Sequence, residues 1–115
     1  MENKKRKTTI VLELQCERIA DEIRTGEYDF DEDSEYDEPC AADYLEDMLD
    51  YRTTISREKE YIGSRILVAF GGPNIWINTI DKCVEGYWGR DVVKRHYYED
   101  KLGIDDYMEE LYECS

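Results

Sequence analysis

Ser64-Arg65-Ile66-Leu67-Val68-Ala69-Phe70-Gly71-Gly72-Pro73-Asn74-Ile75-Trp76-Ile77-Asn78-Thr79 is a β-branched and aromatic run, a turn sequence and a second such run. The pattern predicts two strands, Ser64 to Phe70 and Asn74 to Thr79, joined at Gly71-Gly72-Pro73-Asn74. No Lys-Ser/Thr pair follows these glycines and a strand comes next, so they make a tight turn rather than a phosphate cradle. The same texture returns in Cys83 to Gly89 and Asp91 to Tyr98, connected near Asp81-Lys82 and at Gly89-Arg90. Short links between consecutive strands favour an antiparallel meander of about four strands over about residues 61–98. The aromatics of Gly86-Tyr87-Trp88-Gly89 are expected to cover one face of it.

Helical periodicity flanks this β region. Leu12, Cys16, Ile19, Ala20 and Ile23 recur at three- and four-residue spacing, predicting a helix from about Thr9 to Thr25 with Gly26 as its stop. Its opening Thr8-Thr9-Ile10-Val11-Leu12 also suits a strand, which leaves the helix start open. After Pro39, Ala41, Tyr44, Leu45, Met48 and Leu49 form an apolar stripe that predicts a second helix to about Tyr51, with Asp43, Glu46, Asp47 and Asp50 on the opposite side. Ile104, Tyr107, Met108, Leu111 and Tyr112 repeat the design at the C-terminal end, with Asp105, Asp106, Glu109, Glu110 and Glu113 outward. The fold class expected is therefore α+β, a small antiparallel sheet packed with an N-terminal helix, an acidic middle helix and an acidic C-terminal helix. A chain of 115 residues with 41 % apolar content has room for one domain and a small core. Residues 1–115 are read as that domain, with a flexible basic N-terminus at 1–7 and an acidic linker at 26–39.

Charge is distributed very unevenly. Between Gly26 and Tyr51 there are twelve acidic side chains and no Lys or Arg, and Glu99 to Ser115 adds seven acids against one Lys. Arg52 to Tyr98, between them, holds eight basic and five acidic residues. The densest stretch comprises Glu27, Tyr28, Asp29, Phe30, Asp31, Glu32, Asp33, Ser34, Glu35, Tyr36, Asp37 and Glu38, which self-repulsion should keep extended when free. Ordinary surfaces intersperse both signs, whereas this segment forgoes the i,i+4 ion pairs that steady a helix. The net charge of −14 repels nucleic acid and anionic membrane and attracts basic protein surfaces within roughly a Debye length. The carboxylates of Glu27 to Glu38 with Asp43, Glu46, Asp47 and Asp50 are thus the candidate partner-binding surface, with Tyr28, Phe30 and Tyr36 either anchoring a partner or, one or two of them, folding back on the domain, and with the C-terminal acidic face as a secondary surface.

Other chemistries are poorly supported. Asp29, Asp31 and Asp33 match the first, third and fifth ligands of an EF-hand loop, but Ser34 replaces the turn glycine and Cys40 the closing glutamate. Cys16, Cys40, Cys83 and Cys114 are scattered without a C-x-x-C pair and read as buried or free thiols, so neither metal nor cofactor is expected. His96 is the one histidine; a thiol–imidazole pair with Cys83 is an arrangement the residue types allow, nothing nominates a catalytic pair among the carboxylates, and the chain is read as a non-enzyme. No apolar run approaches the roughly 20 residues of a membrane span and no signal-peptide pattern is seen, so a cytoplasmic protein is expected. Lys4-Lys5-Arg6-Lys7 is opposite in sign and decides nothing by itself.

A short, strongly acidic, tyrosine-rich chain with acidic helical faces at Asp43 to Asp50 and Asp105 to Glu113 resembles the small anti-defence proteins of phages and mobile elements, of the anti-CRISPR and anti-restriction DNA-mimic type. Gly71 to Thr79 and Val84-Glu85-Gly86-Tyr87-Trp88 also resemble segments of small mobile-element proteins. Such inhibitors share no motif, so no residue role transfers individually. The resemblance implies an inhibitor in the cytoplasm of a bacterial host, with DNA-like acidic surfaces occupying the basic channel of a defence nuclease, either a CRISPR effector or a restriction enzyme. It would bind a basic nucleic-acid-binding protein and neither nucleic acid nor membrane directly. The alternative is a non-catalytic acidic adaptor or assembly factor whose basic partner does not compete with nucleic acid.

Overall fold

Alternating inward and outward side chains build a five-stranded antiparallel meander in the computed structural model, which describes residues 6–114. Its elements are α1 (Lys7–Thr25), α2 (Ala41–Tyr44), β1 (Asp50–Ile55), β2 (Tyr61–Ala69), β3 (Asn74–Asn78), β4 (Cys83–Trp88), β5 (Asp91–His96) and α3 (Ile104–Glu113). The strands lie side by side in chain order. Four of them are the expected ones.

The fifth strand, β1, corrects the expected helix to Tyr51. Helix α2 is a single turn, and the chain turns at residues 45–47 before entering the sheet at Asp50. Two forces decide this. Glu46, Asp47 and Asp50 on a continuing helix would repel one another with no cation nearby. Tyr51-Arg52-Thr53-Thr54-Ile55 suits a strand and finds a partner, with Arg52 opposite Arg65 and Tyr51 opposite Ile66. At the other end α1 begins at Lys7, inside the segment expected to be flexible, while Lys4 and Lys5 lie outside the described residues.

All three helices pack on one face of the sheet. Ile66, Ile75, Ile77, Val84 and Val93 point inward to meet Leu12, Cys16, Ile19 and Ile23 of α1 and Ile104 and Met108 of α3. Helix α1 lies over β4 and β5, and α3 lies over β2. Leu12, Ile23, Ile66, Ile77 and Met108 have no exposed surface, and each such burial contributes about 1.5–3 kcal/mol over exposure. Thr8 anchors the start of α1 by donating to Asp91 Oδ2 at 2.9 Å. Asp100 accepts the amides of Gly103, Ile104 and Asp105, each at 2.9 Å, and so caps α3.

Period-two alternation separates the two aromatics expected to share a face. Trp88 pairs with Asp91 and packs on the core, whereas Tyr87 points to the outer face. Gly86, just before them, is a point of close approach between α1 and the sheet. A Cβ there would lie 2.6 Å from Cys16 Sγ and 2.7 Å from Leu12 Cδ1.

Gly86→Ala should therefore destabilise the fold by about 1–3 kcal/mol through overpacking. Adding Cys16→Ala should make the double variant lose less than the sum of the two single losses, as read from urea denaturation midpoints.

Candidate functional site

Gly26 ends α1 in the left-handed conformation at φ 75°, its N–H donating to the Glu22 carbonyl at 2.9 Å. That reversal sends the acidic segment back along α1. The segment is not a free extended chain. Tyr28 packs its ring edge-on against Tyr44 at 4.8 Å and Phe30 at 6.2 Å between centroids. Its hydroxyl donates to Asp43 Oδ2 at 2.6 Å and accepts the Cys40 amide at 3.3 Å.

Ser34 supplies the second anchor, donating to Asp43 Oδ1 at 2.6 Å while its oxygen accepts the Tyr36 amide at 3.2 Å. Asp31 closes the turn between them, its carbonyl accepting the Ser34 amide at 3.0 Å and its side chain the Asp33 amide at 2.9 Å. Tyr44 ties α2 to α1 by donating to Glu22 Oε1 at 2.7 Å, which Arg18 also meets at 3.1 Å. Burial and the hydrogen-bonded carboxylates push the Tyr28 and Tyr44 phenols well up, so both remain donors.

The anchored strap leaves its carboxylates outside. Glu27, Asp29, Asp31, Glu32, Asp33, Glu35, Asp37 and Glu38 are exposed, as are Glu46 and Asp47, while Tyr28, Phe30 and Tyr36 are half-buried. Asp43 is the exception, because both its oxygens are spent on Tyr28 and Ser34. Asp50 also departs from the expected group. It is exposed on β1, and its register opposite Leu67 places it on the outer face of the sheet. An open cleft of about 540 Å³ lies between α1, the strap and the β2–β3 end, lined by Glu22, Asp29, Asp31, Asp43, Glu46 and Asp47 over Val68 and Ile75, with Arg18 the single cation among its described lining residues.

The secondary face is split as well. Asp106, Glu110 and Glu113 are exposed and Glu109 half-buried, but Asp105 accepts a 2.7 Å bond from Tyr61. Local burial and the neighbouring Glu113, Asp105 and Asp106 charges raise the Glu109 carboxyl above its ordinary value.

Asp29, Asp31 and Asp33 do not gather as calcium ligands. Among the described residues, Asp81, Cys83 and Glu85 are the one group with three candidate ligand atoms within 4.8 Å of one another. Glu85 is already engaged by Arg65 at 2.8 Å and Asn78 at 2.9 Å. Burial would raise its carboxyl, but the Asn78 and Arg65 contacts outweigh that and hold it below the usual glutamate value. Cys83 and His96 stand opposite each other in the β4–β5 register. Burial, then Glu85 and Asp81, push the Cys83 thiol up, which opposes thiolate formation.

Ser34 and the inward role of Asp43 are what the sequence reading missed. The available signal was Ser34 itself, the one hydroxyl among the carboxylates of 27–38 apart from the tyrosines. No known protein family, curated protein or solved structure matches this chain. Among the described residues no helix is long and apolar enough to cross a membrane.

Asp43→Ala should cost about 1–3 kcal/mol by stranding the two hydroxyls. Tyr28→Phe should cost less, and the double variant should fall short of the summed losses, because one bond is counted in both. A chemical-denaturation cycle on the four proteins measures this.

Proposed function

We propose that the protein inhibits a bacterial nucleic-acid-targeting defence nuclease, a CRISPR effector or restriction enzyme, by occupying its basic nucleic-acid channel with an acidic, DNA-like surface. The observation that carries this reading is the strap. Its exposed carboxylates are held against the domain by Tyr28, Asp43 and Ser34. A preorganised anion array loses less conformational entropy on docking than a free acidic tail. Carboxylates of the strap take the places of phosphates against Lys and Arg of the channel. The acidic cleft beside α2 receives a cationic side chain of the partner, with Tyr28 and Tyr44 forming part of its wall. The role is stoichiometric and needs no catalytic group.

The alternative, an adaptor binding a basic protein without competing with nucleic acid, uses the same surface and differs in what DNA does to the complex. Affinity capture from bacterial lysate at low salt supplies the candidate partner, and nuclease assays then apply the test. Protein added before DNA should inhibit, and protein added after DNA should not. Replacing Glu32, Asp33, Glu35, Asp37 and Glu38 by Gln or Asn should weaken inhibition by on the order of tenfold or more and flatten its salt dependence, with the denaturation midpoint unchanged or raised. Inhibition that survives those five changes would rule out the strap as the contact. A captured partner indifferent to DNA would favour the adaptor.

A further inference from the structure

The helices cover one face of the sheet, and among the described residues no helix lies on the other. That outer face differs in chemistry from the rest of the molecule. The registers place Arg52 directly opposite Arg65, Trp76 opposite Glu85, and Glu85 opposite Lys94. Like charges directly opposite on neighbouring strands repel. Here both guanidinium groups lie over the Trp76 indole, with their central carbons 5.6 Å (Arg52) and 4.4 Å (Arg65) from the ring centroid.

A single carboxylate faces these cations from the middle of the sheet. Glu85, 4 % exposed, takes Arg65 Nε at 3.2 Å and Nη2 at 2.8 Å, and also accepts from Tyr87 at 3.3 Å. Among the described residues Arg52 and Lys94 make no ion pair. Asp50 adds one negative charge at the corner beside Leu67, and Asp81 another in the β3–β4 turn. At the centre Arg52, Arg65 and Lys94 meet Glu85 alone; with Asp50 and Asp81 counted the face is balanced, three cations to three carboxylates, in a chain whose net charge is −14.

It also presents flat π surfaces. Trp76 and Tyr87 are both half-buried, and because Tyr87 pairs with Asn74 while Trp76 pairs with Glu85, the two rings are diagonal neighbours on β3 and β4. Diagonal positions lie about 7 Å apart, a step that a single strand with its bases splayed out can bridge.

We propose that this outer face binds single-stranded nucleic acid, with phosphates at Arg52 and Arg65 and bases stacked on the guanidinium-capped Trp76 and on Tyr87. Single-strand sites combine cations that follow the backbone with aromatic and guanidinium planes that accept bases. Duplex fits poorly, since among the described residues no helix stands on this face to enter a groove. An acidic protein segment would satisfy the cations but make no use of the diagonal ring pair. Repulsion from the acidic helical side acts over roughly 8 Å at physiological salt, so it weakens the encounter without blocking contact on the opposite face. The site is separate from the strap and does not rest on the proposed inhibitory role.

The chain has two tryptophans, on opposite faces of the sheet, so Trp88→Phe leaves Trp76 as the reporter. Titration with oligothymidylate and oligouridylate of about twelve nucleotides at about 50 mM salt should quench Trp76 saturably. Arg52→Glu, an exposed position, should weaken binding by about tenfold or more, Tyr87→Leu should also weaken it, and neutralising the strap should not. Anisotropy of a labelled oligonucleotide with the unsubstituted chain gives the same constant independently of the tryptophan change. No saturable signal in either assay, or binding unaffected by Arg52→Glu, would overturn the proposal. Equal quenching by a polyglutamate peptide would overturn it too, assigning the face to an acidic protein segment.

Discussion

Repulsion among twenty-nine Asp and Glu opposed by fifteen Lys and Arg is the constraint under which every element of this fold forms. The structure meets it by sorting carboxylates according to position. Four of those drawn toward the interior receive donors: Asp43 from Tyr28 and Ser34, Glu22 from Tyr44 and Arg18, Asp105 from Tyr61, and Glu85 from Arg65 and Asn78. The remainder of the strap stands in water. Tyrosine suits the inner task because its ring adds to the packing while its hydroxyl neutralises nothing and still satisfies an anion.

This sorting sets how much could be read from the chain. Strands β2 to β5 were legible because their turns are marked by Gly71-Gly72-Pro73, Asp81-Lys82 and Gly89-Arg90, and α1 because Leu12, Cys16, Ile19 and Ile23 keep helical spacing. Residues 45–55 were not. Leu45, Met48 and Leu49 fit a helical stripe, yet Leu45 alone is buried, Met48 packs at the margin of the core and Leu49 is exposed. The edge of β2 offered Tyr51 to Ile55 a backbone partner that no local pattern announces. Within the candidate surface, the inward place of Asp43, the strand position of Asp50 and the Tyr61 bond of Asp105 were not legible, since a carboxylate that holds a surface in place looks the same in sequence as one that forms it.

The two broad surfaces of the molecule differ in sign and texture. The helical side is acidic, carrying the strap, the cleft and the α3 carboxylates, with α2 packed against α3. The sheet's outer side is cationic at its centre and aromatic, with Glu85 as the buried counter-ion that keeps Arg65 in place over Trp76. The molecule thus carries an acidic helical side and a sheet face whose centre is cationic. Every strand contributes to both, because alternate residues point to opposite faces.

Amide hydrogen exchange across residues 27–40 of the isolated protein tests most directly the claim that the acidic segment is anchored before it meets a partner. Anchoring by Tyr28, Ser34 and Asp43 predicts protection at the Ser34, Tyr36 and Cys40 amides, each of which has an acceptor, with fast exchange at Glu32 and Glu35. Uniform exchange at unfolded-chain rates through the whole segment, alongside a protected α1, would contradict it and leave the strap a free acidic tail.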